Sequence, residues 1–380
     1  MTAHQDDAVV LWTNMPSFHL IGPFVQLAQR RKVYCVCREP TSKFRGEMKW
    51  KIPEFGALDV RYLNEQDDQK RFVDQIVDQT RDATHFVSGF GNQPGTKLFW
   101  ERAQQLRIKP IMIAERPNPQ RNPFKALARD VLYRRKIRSI ADEIAAVLCI
   151  GSLSVDAYKR YGLPERKTLQ FMYTSASPFP ELPEKITIGS PLRFVYVGRD
   201  DPWIKGLDLL TEALKSFTSE QLTFDFIGPP LDSQLVQFAR ENRLDGVMRF
   251  LGSLPNDEVA RKLATEYDVL VLAGRYDGWG MTISEALLSG IGAIASDAVG
   301  AKDVALASGA GLVVKSGSVG ALRSAIRGLV ERPETAREWK ERARTYREKL
   351  RTEKLADYLE EVVAYVARGS QGVKPRPHWL

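Results

Sequence analysis

A chain of 380 residues that is 43% hydrophobic and 27% charged has the balance of a soluble globular protein and enough length for two ordinary domains. Its 55 Lys and Arg against 47 Asp and Glu leave a net charge of +8, which favours anionic partners: phosphorylated ligands, an anionic membrane surface or nucleic acid. Three cysteines are too few for a disulfide framework, and they show no metal-ligand spacing.

The opening "MTAHQDDAVVLW" carries acids where a secretory leader carries bases, and no apolar run approaches the roughly 18 residues of a membrane span. The expectation is a cytoplasmic protein. Short apolar runs then alternate with longer helix-like stretches, the pattern of α/β folds built on parallel sheets. In the first half the predicted strands are "AVVLW", "KVYCV", "HFVSG", "PIMIA" and "AAVLCI", with helices over 22–31, 95–106 and 124–139. Cys35 and Cys37 alternate with valines as ordinary strand residues do. Residues 174–191, rich in Pro and Ser, read as a linker. Beyond it, "LRFVYVG", "LTFDFIG", "VMRFLG", "DVLVLA" and "GAIAS" are predicted strands, with helices over 206–216 and 257–265 and a charged helical region over 331–367. The terminal "GVKPRPHWL" is either a frayed tail or a segment docked on the first domain through Trp379. Two doubly wound domains are expected, 1–178 and 179–365, with 366–380 completing the first.

Ligands of open parallel sheets sit beyond the C-terminal ends of the strands. Several such places converge in the second domain. After "RFVYVG", ending in Gly198, come Arg199 and Lys205, a guanidinium and an ammonium able to clamp a diphosphate near a helix start. Solvated loop charges are the bland alternative. After "FLG", the loop of "SLPNDEVARKL" offers its backbone to a flat base. After "DVLVLAG" comes "RYDGWGMTISEALLSG": Asp277, then Gly278, Trp279 and Gly280, then a helix expected to begin near Thr282 with its free N–H groups aimed at a ligand. Here the alternatives are a turn aspartate and a capping box between Thr282 and Glu285. The convergence of these places on the strand ends of one domain favours a ligand.

"FVYVGRDDPWIKGLDLLTEAL" and "RYDGWGMTISEALLSGIGAIASDAVGAKDV" together resemble the donor domain of the retaining glycosyltransferases of family four, which have the two-Rossmann-domain GT-B fold. The resemblance covers roughly 192–315 and implies a fold of two Rossmann-like α/β domains facing each other across a cleft. It implies that Asp277 and Glu285 are the donor signature of an acid, seven residues and a glutamate. Asp277, standing where the family usually has Glu, would contact hydroxyls of the donor sugar, and Glu285 would hold the ribose. Arg199 and Lys205 would grip the diphosphate and stabilise it as it leaves, and the amides after Gly280, from Met281 and Thr282, would help hold the phosphates. The implied reaction moves a hexosyl group from a nucleoside diphosphate sugar with retention, by front-face attack, without metal or other cofactor.

On the acceptor side the sequence departs from the family. The loop after the first strand, "TNMPSFHLIGPF", has only Gly22 where the family has several glycines. Where many members place a histidine after the fourth or fifth strand, "PIMIAERPNP" offers Glu115 and Arg116. Glu115 is the leading acid candidate there and His19 a lesser one. Two basic aromatic stretches, "SKFRGEMKWK" (42–51) and "RNPFKALARDVLYRRKIRS" (121–139), the second predicted as a basic amphipathic helix, point to an anionic membrane surface and a saccharide acceptor linked to lipid. A sugar-nucleotide epimerase of the same fold and a non-catalytic nucleotide-sugar-binding protein remain alternatives; nucleic acid is not expected, because no stacking-aromatic or zinc-finger signature is present.

Overall fold

The computed structural model describes residues 8–40, 53–91, 93–175 and 179–380; the basic stretch 42–51 lies outside them. The chain forms two compact units. The first is built from β1 (Val9–Thr13), α1 (Phe18–Leu27), β2 (Val33–Cys37), β3 (Asp59–Tyr62), α2 (Gln69–Gln79), β4 (Thr84–Ser88), α3 (Pro94–Leu106), β5 (Ile111–Ala114), α4 (Pro123–Ile140), β6 (Ala146–Ile150), α5 (Ser152–Arg160) and β7 (Thr168–Phe171). The second runs through β8 (Leu192–Val197), α6 (Leu207–Leu214), β9 (Leu222–Ile227), α7 (Gln234–Glu241), β10 (Met248–Gly252), α8 (Asn256–Glu266), β11 (Val269–Leu272), α9 (Met281–Leu288), β12 (Gly292–Ser296), α10 (Lys302–Ala307), β13 (Gly311–Val314), α11 (Val319–Glu331) and α12 (Pro333–Tyr346). The chain then returns to the first unit as α13 (Thr352–Ala367).

Both sheets are parallel, in the orders β3-β2-β1-β4-β5-β6-β7 and β10-β9-β8-β11-β12-β13. Central strands such as β1, β6 and β12 bury every residue, as strands covered on both faces must, and for that reason they read as unbroken apolar runs. The strands that the apolar pattern misses, β3, β7 and β13, all lie at sheet edges. There, partial exposure admits residues such as Asp59 and Arg61. Helix α1 starts four residues before the expected 22–31, because Gly22 and Pro23, natural breakers, lie inside it. The region 331–367 is not one helix. Pro333 opens α12, and a 3-10 turn over Arg347–Leu350 separates α12 from α13.

The first core centres on Trp12, stacked on Phe99 with ring centroids 4.7 Å apart. The Trp12 indole donates to His85 Nδ1 at 3.1 Å, and His85 Nε2 lies 2.9 Å from the Thr80 carbonyl. The imidazole is thus neutral with its proton on Nε2, and burial pushes its pKa down to about 4. Helix α13 packs on α1, and Arg30 and Arg31, just past the end of α1, pair with Asp357 and Glu360, each at 2.7 Å. The Tyr358 and Tyr365 hydroxyls donate to the carbonyls of Gln170 (2.8 Å) and Arg166 (2.9 Å). The return to the first unit therefore begins at Thr352 rather than at 366. Trp379 is fully buried, its carbonyl accepts the Tyr346 hydroxyl, and it groups with the second unit rather than docking on the first.

Part of the expected linker is fixed to the second unit. Helix α12 donates from Lys340 Nζ to the Thr187 carbonyl (2.8 Å), from Arg337 to Ile186 (3.0 Å) and from Arg344 to Pro183 (2.6 Å). Lys340 also meets Asp268 at 2.7 Å; the fully buried Asp268 in turn accepts the amides of Gly189 (3.1 Å) and Arg193 (2.8 Å). Arg193 reaches the same carboxylate at 3.3 Å, so removing Lys340 weakens rather than abolishes the compensation of Asp268. Lys340→Met should lower unfolding free energy by about 2 kcal/mol in urea titrations of the whole chain, although Met fills the same space.

Candidate functional site

Strands β8 and β11 are neighbours at the point where the strand order of the second sheet reverses, the crevice in which doubly wound folds bind ligands. The loop leaving β8 is held by its own groups. The buried Tyr196 hydroxyl donates to the Arg199 carbonyl (2.8 Å), the Asp201 carboxylate accepts the Ile204 amide (3.0 Å), and the Asp201 carbonyl accepts the Lys205 amide (2.9 Å). Gly206 closes the loop with φ 68°, and a Cβ there would sit 2.3 Å from the Ala273 carbonyl oxygen. This close approach brings the loop leaving β11 alongside.

Arg275 laces the two loops together. Its amide donates to the Ile204 carbonyl (2.8 Å), and its guanidinium is bidentate to Asp208 (2.7 and 2.8 Å) while also reaching the Trp203 carbonyl (3.0 Å). As a result Lys205 Nζ lies 2.6 Å from Asp277 Oδ2, with both side chains largely shielded from solvent. The loop after β12 secures Asp277 from the other side. Asp277 forms a parallel bridge with Val299, its amide donates to the Ala298 carbonyl (3.3 Å), and its carbonyl accepts the Gly300 amide (3.3 Å).

Helix α9 begins at Met281, not near Thr282, and its N-cap is Gly280 at φ 91°. A Cβ at Gly280 would lie 2.6 Å from Val299 and 2.9 Å from Leu272, so only glycine fits. The capping box does not form, because Thr282 falls inside the first turn and no side chain caps the helix. The first-turn amides, including those of Met281 and Thr282, thus face outward without intrahelical acceptors. Trp279 is a core residue: it is buried, and its indole donates to the buried Ser284 hydroxyl at 3.0 Å. Its contribution to a ligand is confined to its backbone, beside that of the buried Gly278.

Glu285 lies one turn into α9 and keeps only part of its surface in solvent, and its carboxyl group makes no hydrogen bond or ion pair among the described residues. Burial pushes its carboxyl up to about 7. The exposed Arg199 guanidinium, just past Gly198 at the end of β8, also has no partner among the described residues. The site thus combines an open cation, a paired cation, an unpaired desolvated acid and a set of free amides.

The remaining candidates lie in the first unit. His19 sits in the first turn of α1, and its carbonyl accepts the Thr174 amide (3.3 Å). Glu115 is exposed directly after β5, its carbonyl accepting the Tyr158 hydroxyl (3.3 Å), and the Arg116 amide donates to Ser154 (2.9 Å). Helix α4 departs from the expected amphipathic pattern, because its exposed apolar residues run from its start to its middle and four of its six basic residues follow them, with Lys125 and Arg129 among the apolar ones. Phe124, Leu127, Val131 and Leu132 are 81%, 66%, 45% and 64% exposed, and Ile137 is the helix's buried residue. Exposed Arg134, Arg135 and Arg138 occupy the second half. Lys136 extends its ammonium over the Phe90 ring at 4.6 Å.

Sequence inspection alone gives no role to Arg275, Asp208 or Ser296, whose hydroxyl donates to the Gly274 carbonyl. Their partners are too distant in the chain for local spacing to reveal them. Among the described residues no group of His, Cys, Asp and Glu is set to hold a metal ion, and no helix is long and apolar enough to cross a membrane.

The state of Glu285 has a measurable consequence without any ligand. A carboxyl raised from 4.5 to about 7 by folding leaves stability intact below 4.5 and reduces it as pH rises toward 7. The full effect is at most about 3 kcal/mol. Glu285→Gln should therefore melt at a higher temperature than wild type at pH 8 and at a similar temperature at pH 4.5; a lower melting temperature at pH 8 would instead indicate a capping role.

Residues 179–346 match the family described as glycosyl transferases group 1. Solved structures share the architecture over nearly their whole length. HepE of Anabaena, in complex with UDP and glucose, superposes with a TM-score of 0.67 at 13% identity, covering 94% of this chain and 99% of that one. Sucrose-phosphate synthase of Thermosynechococcus elongatus gives 0.68 at 15% identity, with 95% and 99% covered. WaaG, a glycosyltransferase involved in lipopolysaccharide biosynthesis, gives 0.59 at 14%, with 93% and 99% covered. No curated protein matches the chain in sequence. At such identities the neighbours establish the fold, which is GT-B, and the family match, which spans 179–346, ties the second unit to the glycosyl transferases group 1.

Proposed function

We propose that this protein is a retaining glycosyltransferase that moves a hexosyl group from a nucleoside diphosphate sugar to a saccharide acceptor linked to lipid, in the cytoplasm, during assembly of cell-surface polysaccharide or glycolipid. The observation that carries the donor half of this reading is Glu285, an acid desolvated by folding yet left without a protein partner. A paired ribose hydroxyl set is a fitting occupant, because two O–H donors stabilise a carboxylate that burial disfavours. The amides of Gly280, Met281 and Thr282, with Arg199 and Lys205, are suited to the diphosphate. That HepE was solved with UDP and with UDP-glucose supports a nucleotide-sugar donor.

In this mechanism the bond between the anomeric carbon and the diphosphate oxygen breaks, and negative charge grows on the leaving group. Arg199, Lys205 and the start of α9 stabilise that charge more in the transition state than in the bound substrate, which is what accelerates the step. The acceptor hydroxyl attacks from the same face and gives its proton to the departing phosphate, so no protein nucleophile and no metal ion are called for. Glu115, Arg116 and His19 are the acceptor-side groups of this proposal. For the acceptor's lipid, the support is α4, whose exposed Phe124, Leu127 and Leu132 suit insertion among acyl chains while Arg134 and Arg135 suit anionic headgroups.

Mass analysis after incubation with a panel of nucleoside diphosphate sugars and a membrane lipid extract should yield a glycosylated lipid product; hydrolysed or epimerised donor alone would overturn the transferase reading. Arg199→Ala should lower turnover about a hundredfold, the scale of losing one charge-assisted contact to a leaving group. Rates near wild type would remove it from the mechanism. Sedimentation with vesicles should show binding to anionic but not neutral lipid, weakening as salt rises. It should be lost in Phe124→Ser/Leu127→Ser and in Arg134→Glu/Arg135→Glu; equal recovery in the supernatant with both vesicle types at low salt would point to a water-soluble acceptor.

A further inference from the structure

We propose that Asp277 serves as the resting counter-ion of Lys205 and sets the strength of the diphosphate grip, rather than reading hydroxyls of the donor sugar. The inference rests on the reading of this site as a diphosphate site. Its basis is the 2.6 Å ion pair between Lys205 and Asp277, whose side chains keep only 16% and 17% of their surface in solvent. Each partner is positioned from its own side. Lys205 is set by the Asp201 carbonyl and by Gly206 packed on Ala273, and Asp277 by its bridge to Val299. Neither side chain has another hydrogen-bond or ion-pair partner among the described residues, although the charge of Asp277 reaches the Tyr196 phenol, and the other acid of the site, Glu285, is not paired with Lys205. The short aspartate side chain thus ends on the ammonium, its nearer oxygen already engaged.

This pairing divides the two cations of the site by role. Arg199 is open and binds a diphosphate in the ground state, whereas Lys205 arrives neutralised and must be shared between Asp277 and the phosphates. A nearby carboxylate also repels the bound diphosphate. As negative charge accumulates on the leaving group, the phosphate competes better for the ammonium, so the contribution of Lys205 grows between ground state and transition state. The same arrangement keeps the released nucleoside diphosphate from binding too tightly.

Calorimetry with UDP, GDP, ADP and dTDP and with the glucose ester of each tests this directly. For the nucleotide that binds wild type most tightly, Asp277→Asn should tighten binding of the diphosphate and of its glucose ester by the same factor, about fivefold, the scale of removing one partly screened repulsion. Asp277→Ser should do the same, which guards against new contacts made by the Asn amide. In a Lys205→Ala background, Asp277→Asn should change affinity by a different factor than in wild type, giving a non-additive cycle. A sugar-reading role predicts the opposite pattern: unchanged affinity for the diphosphate and weakened affinity for its glucose ester. That result, or strict additivity with Lys205→Ala, overturns the proposal. Wild type binding none of the eight compounds overturns the donor reading itself, and this inference with it.

Discussion

The second unit depends on one side chain to keep the loops leaving β8 and β11 in register. Arg275 stands between the loop leaving β8 and the loop leaving β11 and joins them with four hydrogen bonds: two to Asp208 at the start of α6, one to the Trp203 carbonyl and one through its amide to Ile204. A guanidinium suits this task because its planar fork fixes direction as well as distance, which a lysine in the same place would not do. With the loops held together, the ammonium of Lys205 and the carboxylate of Asp277 need no further adjustment to meet. The electrostatic character of the crevice follows from that meeting, since one cation is left open and the other arrives balanced.

Local signals account for much of what was legible in the sequence. The central strands announce themselves because parallel strands covered on both faces are largely apolar, as "FVYV", "VLVL" and "AVLCI" are. Glycines that accept no side chain mark the turn into α9, so Gly280 and Glu285 stand out before any coordinates exist. Edge strands such as β3 lack this signature because half their surface meets water. Pairings across long stretches of chain were illegible for a different reason. Nothing near Arg275 names Asp208, and nothing near Asp277 names Lys205, because these contacts are products of topology rather than of spacing. Thr282 and Glu285 show the converse error, a local motif with correct spacing that the left-handed Gly280 displaces by capping the helix two residues before Thr282.

The same distinction explains α4. Counting charges and rings in residues 121–139 correctly finds a basic helix with apolar content, yet composition does not say how the two are arranged. Ile137 is its buried contact, the exposed Phe124, Leu127, Val131 and Leu132 run from its start to its middle, and four of its six basic residues follow them.

The return of α13 to the first unit has a consequence for how the protein is made. Because Thr352–His378 packs with residues from the amino-terminal half, the second unit is in effect an insertion within the first. On the ribosome the second unit has all of its strands before α13 has been synthesised, whereas the first must wait with the surface of α1 that α13 covers still bare. The amino-terminal unit is translated first and finished last.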